Sequence, residues 1–137
     1  MIKKRGKYMK NSINFVKENV NPSGRVVGDC VVRALVKASG RGWDHIYREL
    51  CDIGFKLKCM PNDMEAVVEW LKINGFKEGV IKVVKGSKRP TVGGFLKERS
   101  QGVFVLRVAN HLTVGVNGVL YDLWDCREKC VYKYWYK

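Results

Sequence analysis

No stretch of the sequence approaches the ~20 consecutive apolar residues that a membrane-spanning helix needs, so no membrane function is expected. The basic opening from Met1 to Lys10 has no apolar run behind it and does not read as a secretory signal. A cytoplasmic protein is the expectation. Histidine is scarce, with His45 and His111 the two in the chain, so any imidazole chemistry rests on one of them. The five cysteines (Cys30, Cys51, Cys59, Cys126 and Cys130) include no CxxC pair. An odd count without a secretory signal argues for free thiols over a disulfide framework. The loose Cys126-x-x-x-Cys130 spacing, with Cys51 and Cys59, does not make a zinc knuckle, and neither a metal nor a cofactor is called for. Acidic residues are few: 13 against 26 lysines and arginines, a net charge of +13.

What is present fits one globular domain. The 137 residues are 46% hydrophobic and 28% charged, enough for a single core and too apolar for a disordered chain. Residues 1–20 read as a basic flexible arm, five of the first ten being Lys or Arg, and 21–137 as one domain. From Asp29 the apolar spacing turns helical and Gly40 stops it. A second helix reads from Asp44 to Ile53 and ends at Gly54. A third, entered through Pro61, closes at Asn74-Gly75. The second half is rich in strand formers: "GVIKVV" (79–84), "VFVLRV" (103–108), "HLTVGV" (111–116), "VLYDLW" (119–124) and "VYKYWY" (131–136). Thr91 reads as the cap of a short helix reaching Glu98. Helices first, then a mostly antiparallel sheet, make an α+β domain.

Asn117-Gly118 is a strong two-residue hairpin signal. It pairs Val116 with Val119, so paired residue numbers sum to a constant and Thr113 falls opposite Asp122. His111 and Asp122 are then diagonal neighbours on one face, roughly 7–8 Å apart at the backbone and within side-chain reach, and Trp124 falls opposite His111. An imidazole held by a carboxylate is the base and orienter of a nucleophile triad. Cys30 is the candidate nucleophile, because the free amides and dipole of a helix N-terminus lower a thiol's pKa. A buried small hydrophobe is the plainer reading of Cys30, a backbone-bonded strand residue that of His111, and a surface ion pair that of Asp122.

Cysteine opening the first core helix, histidine on a strand, an acid on the next and a tryptophan two residues later together resemble the papain-like cysteine peptidases. The stretches "NPSGRVVGDCVVRALVKASG" and "NHLTVGVNGVLYDLWD" resemble small phage-encoded proteins with this layout. The resemblance implies a papain-like fold, a catalytic Cys30–His111–Asp122 triad and a Trp124 that shields the His–Asp pair from water. It also implies a glutamine shortly before the cysteine as oxyanion donor, but no Gln lies between Met1 and Cys30. Asn21 is the candidate in its place, with Asn19 a weaker one. Asp29 either caps the helix or marks a departure from the family.

The function expected is a small cysteine hydrolase, a peptidase or amide/isopeptide hydrolase, acting on a peptide or protein substrate, with a basic surface favouring acidic ones. The alternatives are a catalytically degenerate binding protein acting on a host or defence component through basic residues such as Lys88 and Arg89, and a nucleic-acid-binding module driven by net charge. His45 reads as a helix-surface residue, Gly86–Arg89 as an exposed basic loop, and "VYKYWYK" as a half-buried edge strand.

Overall fold

A computed structural model describes residues 13–137. It is an α+β domain with a six-stranded sheet. In chain order the elements are β1 (Phe15–Lys17), α1 (Cys30–Ser39), α2 (Trp43–Leu57), α3 (Met64–Ile73), β2 (Lys77–Gly79), α4 (Val92–Lys97), β3 (Val103–Val108), β4 (His111–Val116), β5 (Val119–Asp122) and β6 (Lys133–Tyr136). The strands lie in the order β1-β5-β4-β3-β6-β2, all antiparallel except β1, which runs parallel to β5. No helix among the described residues is long and apolar enough to cross a membrane.

The central hairpin forms as its turn chemistry dictates. Asn117 and Gly118 both take positive φ (49° and 78°), the left-handed pair a type I′ turn demands, and Val116 pairs with Val119 and Val114 with Tyr121. The sheet buries both faces. Val105, Leu112, Val114 and Trp135 pack under α1, α2 and α3 through Leu35, Ile46, Leu50 and Trp70. On the other face Leu106, Val108 and Leu120 pack with Phe95 and Leu96 of α4. At Gly115 a β-carbon would stand 2.5 Å from the Leu96 methyls, so glycine lets α4 sit directly on the strand.

Several elements depart from the sequence reading. Part of the arm expected over 1–20 is structured: Phe15–Lys17 forms an edge strand, and the amide of Leu120 donates to the Asn14 carbonyl. Residues 1–12 of that arm lie outside the described residues. The second helix runs past Gly54, which is buried inside it, and stops at Lys58, whose φ of 62° lets its amide donate back to Gly54. The strand expected at 79–84 is displaced: pairing ends at Gly79, and 80–84 is irregular and largely exposed. The "VYKYWY" strand is no edge, because β6 lies between β3 and β2 and buries Trp135. The short helix keeps its expected cap, Thr91 Oγ1 accepting from the Gly94 amide at 3.1 Å.

Candidate active site

Cys30 is the first residue of α1, and α1 lies across β4, the strand that His111 opens. The helix forms there because Val31, Val32, Ala34 and Leu35 give it a buried stripe, and it ends on Gly40 at φ 74°. The amides of Cys30, Val31 and Val32 have no acceptor among the described residues, as expected of a helix's first turn. The Cys30 thiol is half-buried and lies beside His111 and Leu112, with which it lines one groove.

His111 Nε2 lies 2.7 Å from Asp122 Oδ2, which leaves Nδ1 as the nitrogen available to Cys30. Asp122 is buried, and each oxygen takes two close donors: Oδ2 from His111 and from Thr113 Oγ1 at 2.6 Å, with the Cys126 thiol farther off at 3.8 Å, and Oδ1 from the Leu123 amide at 2.6 Å and from Arg33 Nη1 at 3.0 Å. A carboxylate with four donors stays ionised. Burial pushes its pKa up, but the bonds from His111 and Thr113 and the imidazolium charge outweigh burial and hold it below the ordinary value. Burial disfavours the charged form of His111 too, yet hydrogen bonds to Asp122, Cys126 and Cys30 overcome it and raise the pKa from 6.5 to about 11. For Cys30, burial raises the pKa, and the contacts with His111 and the Leu112 amide, with the charges of His111 and Arg33, bring it below 9.0. Both shifts act in the direction of thiolate and imidazolium, the reactive form of a cysteine nucleophile.

Asp29 does not cap α1 with its side chain. Its carboxylate turns away and is buried, accepting from Arg33 Nε at 2.9 Å, Trp43 Nε1 at 3.0 Å and Asn21 Nδ2 at 3.2 Å. Burial raises its pKa, and these three donors more than offset that. Asn21 is thus engaged with Asp29, while its carbonyl oxygen takes the amide and hydroxyl of Ser23; Asn19 donates to the Arg25 carbonyl. Oxyanion donors offered directly beside the thiol are the first-turn amides of α1.

The Trp124 ring sits 4.9 Å from the His111 ring, tilted by 50°, and covers one side of it. Trp124 is 42% exposed, so it lies over the imidazole from the solvent side and outside the core. His45 is exposed and faces Glu49. Lys88 lies exposed in the irregular 80–90 segment, and the Arg89 guanidinium stacks 4.6 Å over Tyr132.

No family model, curated protein or solved structure matches this chain.

Three residues at the site were missed by the sequence reading. Thr113 was legible, since the hairpin register places it opposite Asp122. Arg33 stands four residues after Asp29, an ion-pair spacing on a helix, but its bond to Asp122 spans 89 positions. Cys126 lies beyond the end of β5, where no periodicity applies, and its thiol reaches Asp122 Oδ2 at 3.8 Å. His111, Asp122 and Cys126 bring three potential metal donors within 4.8 Å. Both Asp122 oxygens are already doubly bonded, and Arg33 supplies the positive charge a cation would bring, so the donor set is better suited to the ion pairs it makes.

Two grooves meet beside Cys30. One, of about 210 Å³, is lined by Cys30, His111, Asn110, Arg107, Asn62 and Met64 among others. The other, about 350 Å³, is more apolar, with Val27, Trp43, Tyr47, Met60 and Pro61, and shares Gly28, Val31 and Asn62 with the first.

Proposed function

We propose that this protein is a small cysteine hydrolase of papain-like layout that cleaves a peptide or other amide bond. The observation that carries the reading is the grouping of Cys30 and His111 on one groove, with the imidazole 2.7 Å from the buried Asp122 carboxylate. The Cys30 thiolate attacks the carbonyl carbon, and the oxyanion accepts hydrogen bonds from the first-turn amides of α1. Collapse breaks the C–N bond as His111 gives its proton to the leaving nitrogen, leaving a thioester on Cys30. Neutral His111 then takes a proton from water, hydroxide adds to the thioester, and the acid departs as the thiolate and imidazolium return. Asp122 keeps the imidazole oriented throughout, and Trp124 limits water at the pair.

The test is digestion of a complex peptide mixture followed by terminal sequencing with mass spectrometry. New termini generated by the wild-type protein and absent with Cys30→Ala support hydrolysis. An electrophilic acyl-type probe should also label Cys30 well ahead of Cys51, Cys59, Cys126 and Cys130. Equal labelling of all five thiols overturns the reading.

One observation favours the alternative, a binding protein on a degenerate site: the Asn21 amide, the candidate oxyanion donor, is spent on Asp29. That reading requires Cys30→Ala to retain full biological activity, while charge reversal at Lys88 and Arg89 abolishes it.

A further inference from the structure

Arg107 lies on β3 opposite Leu112, on the helix-facing side of the sheet, just beyond the end of the core that α1 covers. Its side chain is exposed and has no hydrogen bond or ion pair among the described residues. It lines the same groove as Cys30 and His111, together with the amide side chains of Asn62 and Asn110, and none of the described residues lining that groove is acidic. The groove thus offers an unspent guanidinium and two neutral hydrogen-bonding side chains beside the nucleophile. A guanidinium binds a carboxylate through two parallel N–H donors.

From this geometry we infer that Arg107 is the specificity residue for a carboxylate on the substrate, carried close to the scissile bond. The inference rests on the hydrolase reading and names its substrate class: an amide with an acidic side chain or a free terminal carboxylate beside the cleaved bond. The overall excess of cationic residues draws anionic molecules to the surface without selecting among them; Arg107 would do the selecting, because it is the arginine at the groove.

Two alkylating reagents of equal size test this without a known substrate. Iodoacetate carries a carboxylate and iodoacetamide its neutral amide, and the same thiolate attacks both at the CH2 carbon with loss of iodide, so the ratio of their rates at Cys30 cancels any change in thiolate fraction. Arg107→Gln should lower the iodoacetate-to-iodoacetamide ratio about fivefold, the scale of one partly screened charge pair at groove distances, and Arg107→Glu should lower it further. Lys72→Gln removes a charge at the far end of α3 and should leave the ratio unchanged. An unchanged ratio in both Arg107 variants overturns the inference. The ratio can be read even if Cys30 proves unactivated, so failure of the hydrolase reading shows separately, as slow reaction with both reagents. Where turnover is found, paired peptides separate the two carboxylate sources: Asp against Asn beside the cleaved bond, and a free against an amidated C-terminus. A preference for a carboxylate in either pair that disappears in Arg107→Gln supports the assignment, and indifference in both pairs refutes it.

Discussion

Replacing His111 with glutamine removes the cation that stabilises the Cys30 thiolate while keeping a side chain of similar reach. The effect is largest at acidic pH. An ordinary thiol with pKa ~8.5 is about 0.3% ionised at pH 6, so full ionisation in the native protein would raise the reactive population by at most ~300-fold. Thiolates of lower pKa are less nucleophilic, with a Brønsted slope near 0.4–0.5, which takes back about half of that gain on a logarithmic scale. The ceiling on the rate difference at pH 6 is thus about 20-fold. His111→Gln should lower the rate of Cys30 alkylation by iodoacetamide by several-fold up to that ceiling at pH 6. Near pH 10 the variant should draw level or overtake, since its thiol is then ionised and more nucleophilic. The assay is peptide mapping of alkylated cysteines over pH 5–10, with exposed Cys130 as internal standard. The reasoning is refuted if wild-type and variant Cys30 show the same rate at pH 6, or if wild-type Cys30 follows the pH curve of Cys130.

Arg33→Met leaves both Asp29 and Asp122 buried with one donor fewer each, and breaking such pairs from one side costs about 3 kcal/mol or more; urea unfolding should show a loss of that order. The pH dependence of stability should carry two signatures. Asp29 and Asp122 have lowered pKa values, so their contribution is complete above the ordinary ~3.8–3.9 and fades as pH falls through the lowered values. His111, raised to about 11, contributes fully below about 6.5 and progressively loses that contribution as pH climbs toward 11; denaturation midpoints in wild type and His111→Gln should converge at the alkaline end. Gly115→Ala pushes a β-carbon into Leu96 and should cost about 1–3 kcal/mol by overpacking, measurable by thermal melting, with Cys30 labelling unchanged in the protein that remains folded.

Local signals account for the parts of the fold that were readable. The Asn117-Gly118 turn fixes the β4–β5 register by itself, and the register brings His111 and Asp122 to one place, so a contact across 11 positions follows from two residues of turn chemistry. The start of α1 was equally legible, because apolar spacing and Gly40 bracket it. What escaped depends on contacts between distant segments. β1 adds in parallel to β5 through a three-residue pairing, too short for any alternation to register. The position of β6 inside the sheet is decided by its partners, β3 and β2, and its alternating aromatics and lysines fit an edge equally well. Gly54 reads locally as a helix stop, yet it sits under the backbone of Cys59 and Met60, so the helix continues through it for packing reasons and turns only at Lys58.

The acid beside Cys30 is the feature sequence left most open, and its contacts suggest a further experiment. Ordered by contact, the charges alternate: Asp29 bonds Arg33, Arg33 bonds Asp122, Asp122 bonds His111, and His111 faces Cys30. Asp29 is next to Cys30 in the chain but not in the charge order. Its negative charge is compensated by Arg33 at 2.9 Å, so the pair acts on the thiol as a dipole and not as a bare anion. If this ordering holds, Asp29→Asn and Arg33→Met must be strongly non-additive. Arg33→Met strands the Asp29 carboxylate, Asp29→Asn leaves Arg33 with Asp122 as its remaining carboxylate, and the double variant removes the Asp29–Arg33 pair together, so a coupling of about 1–3 kcal/mol in urea unfolding is expected for residues in one such network. If Asp29 instead opposed the thiolate independently of Arg33, the two substitutions would act separately. The unfolding free energies would then sum within about 0.5 kcal/mol, and the charge order would have no energetic meaning.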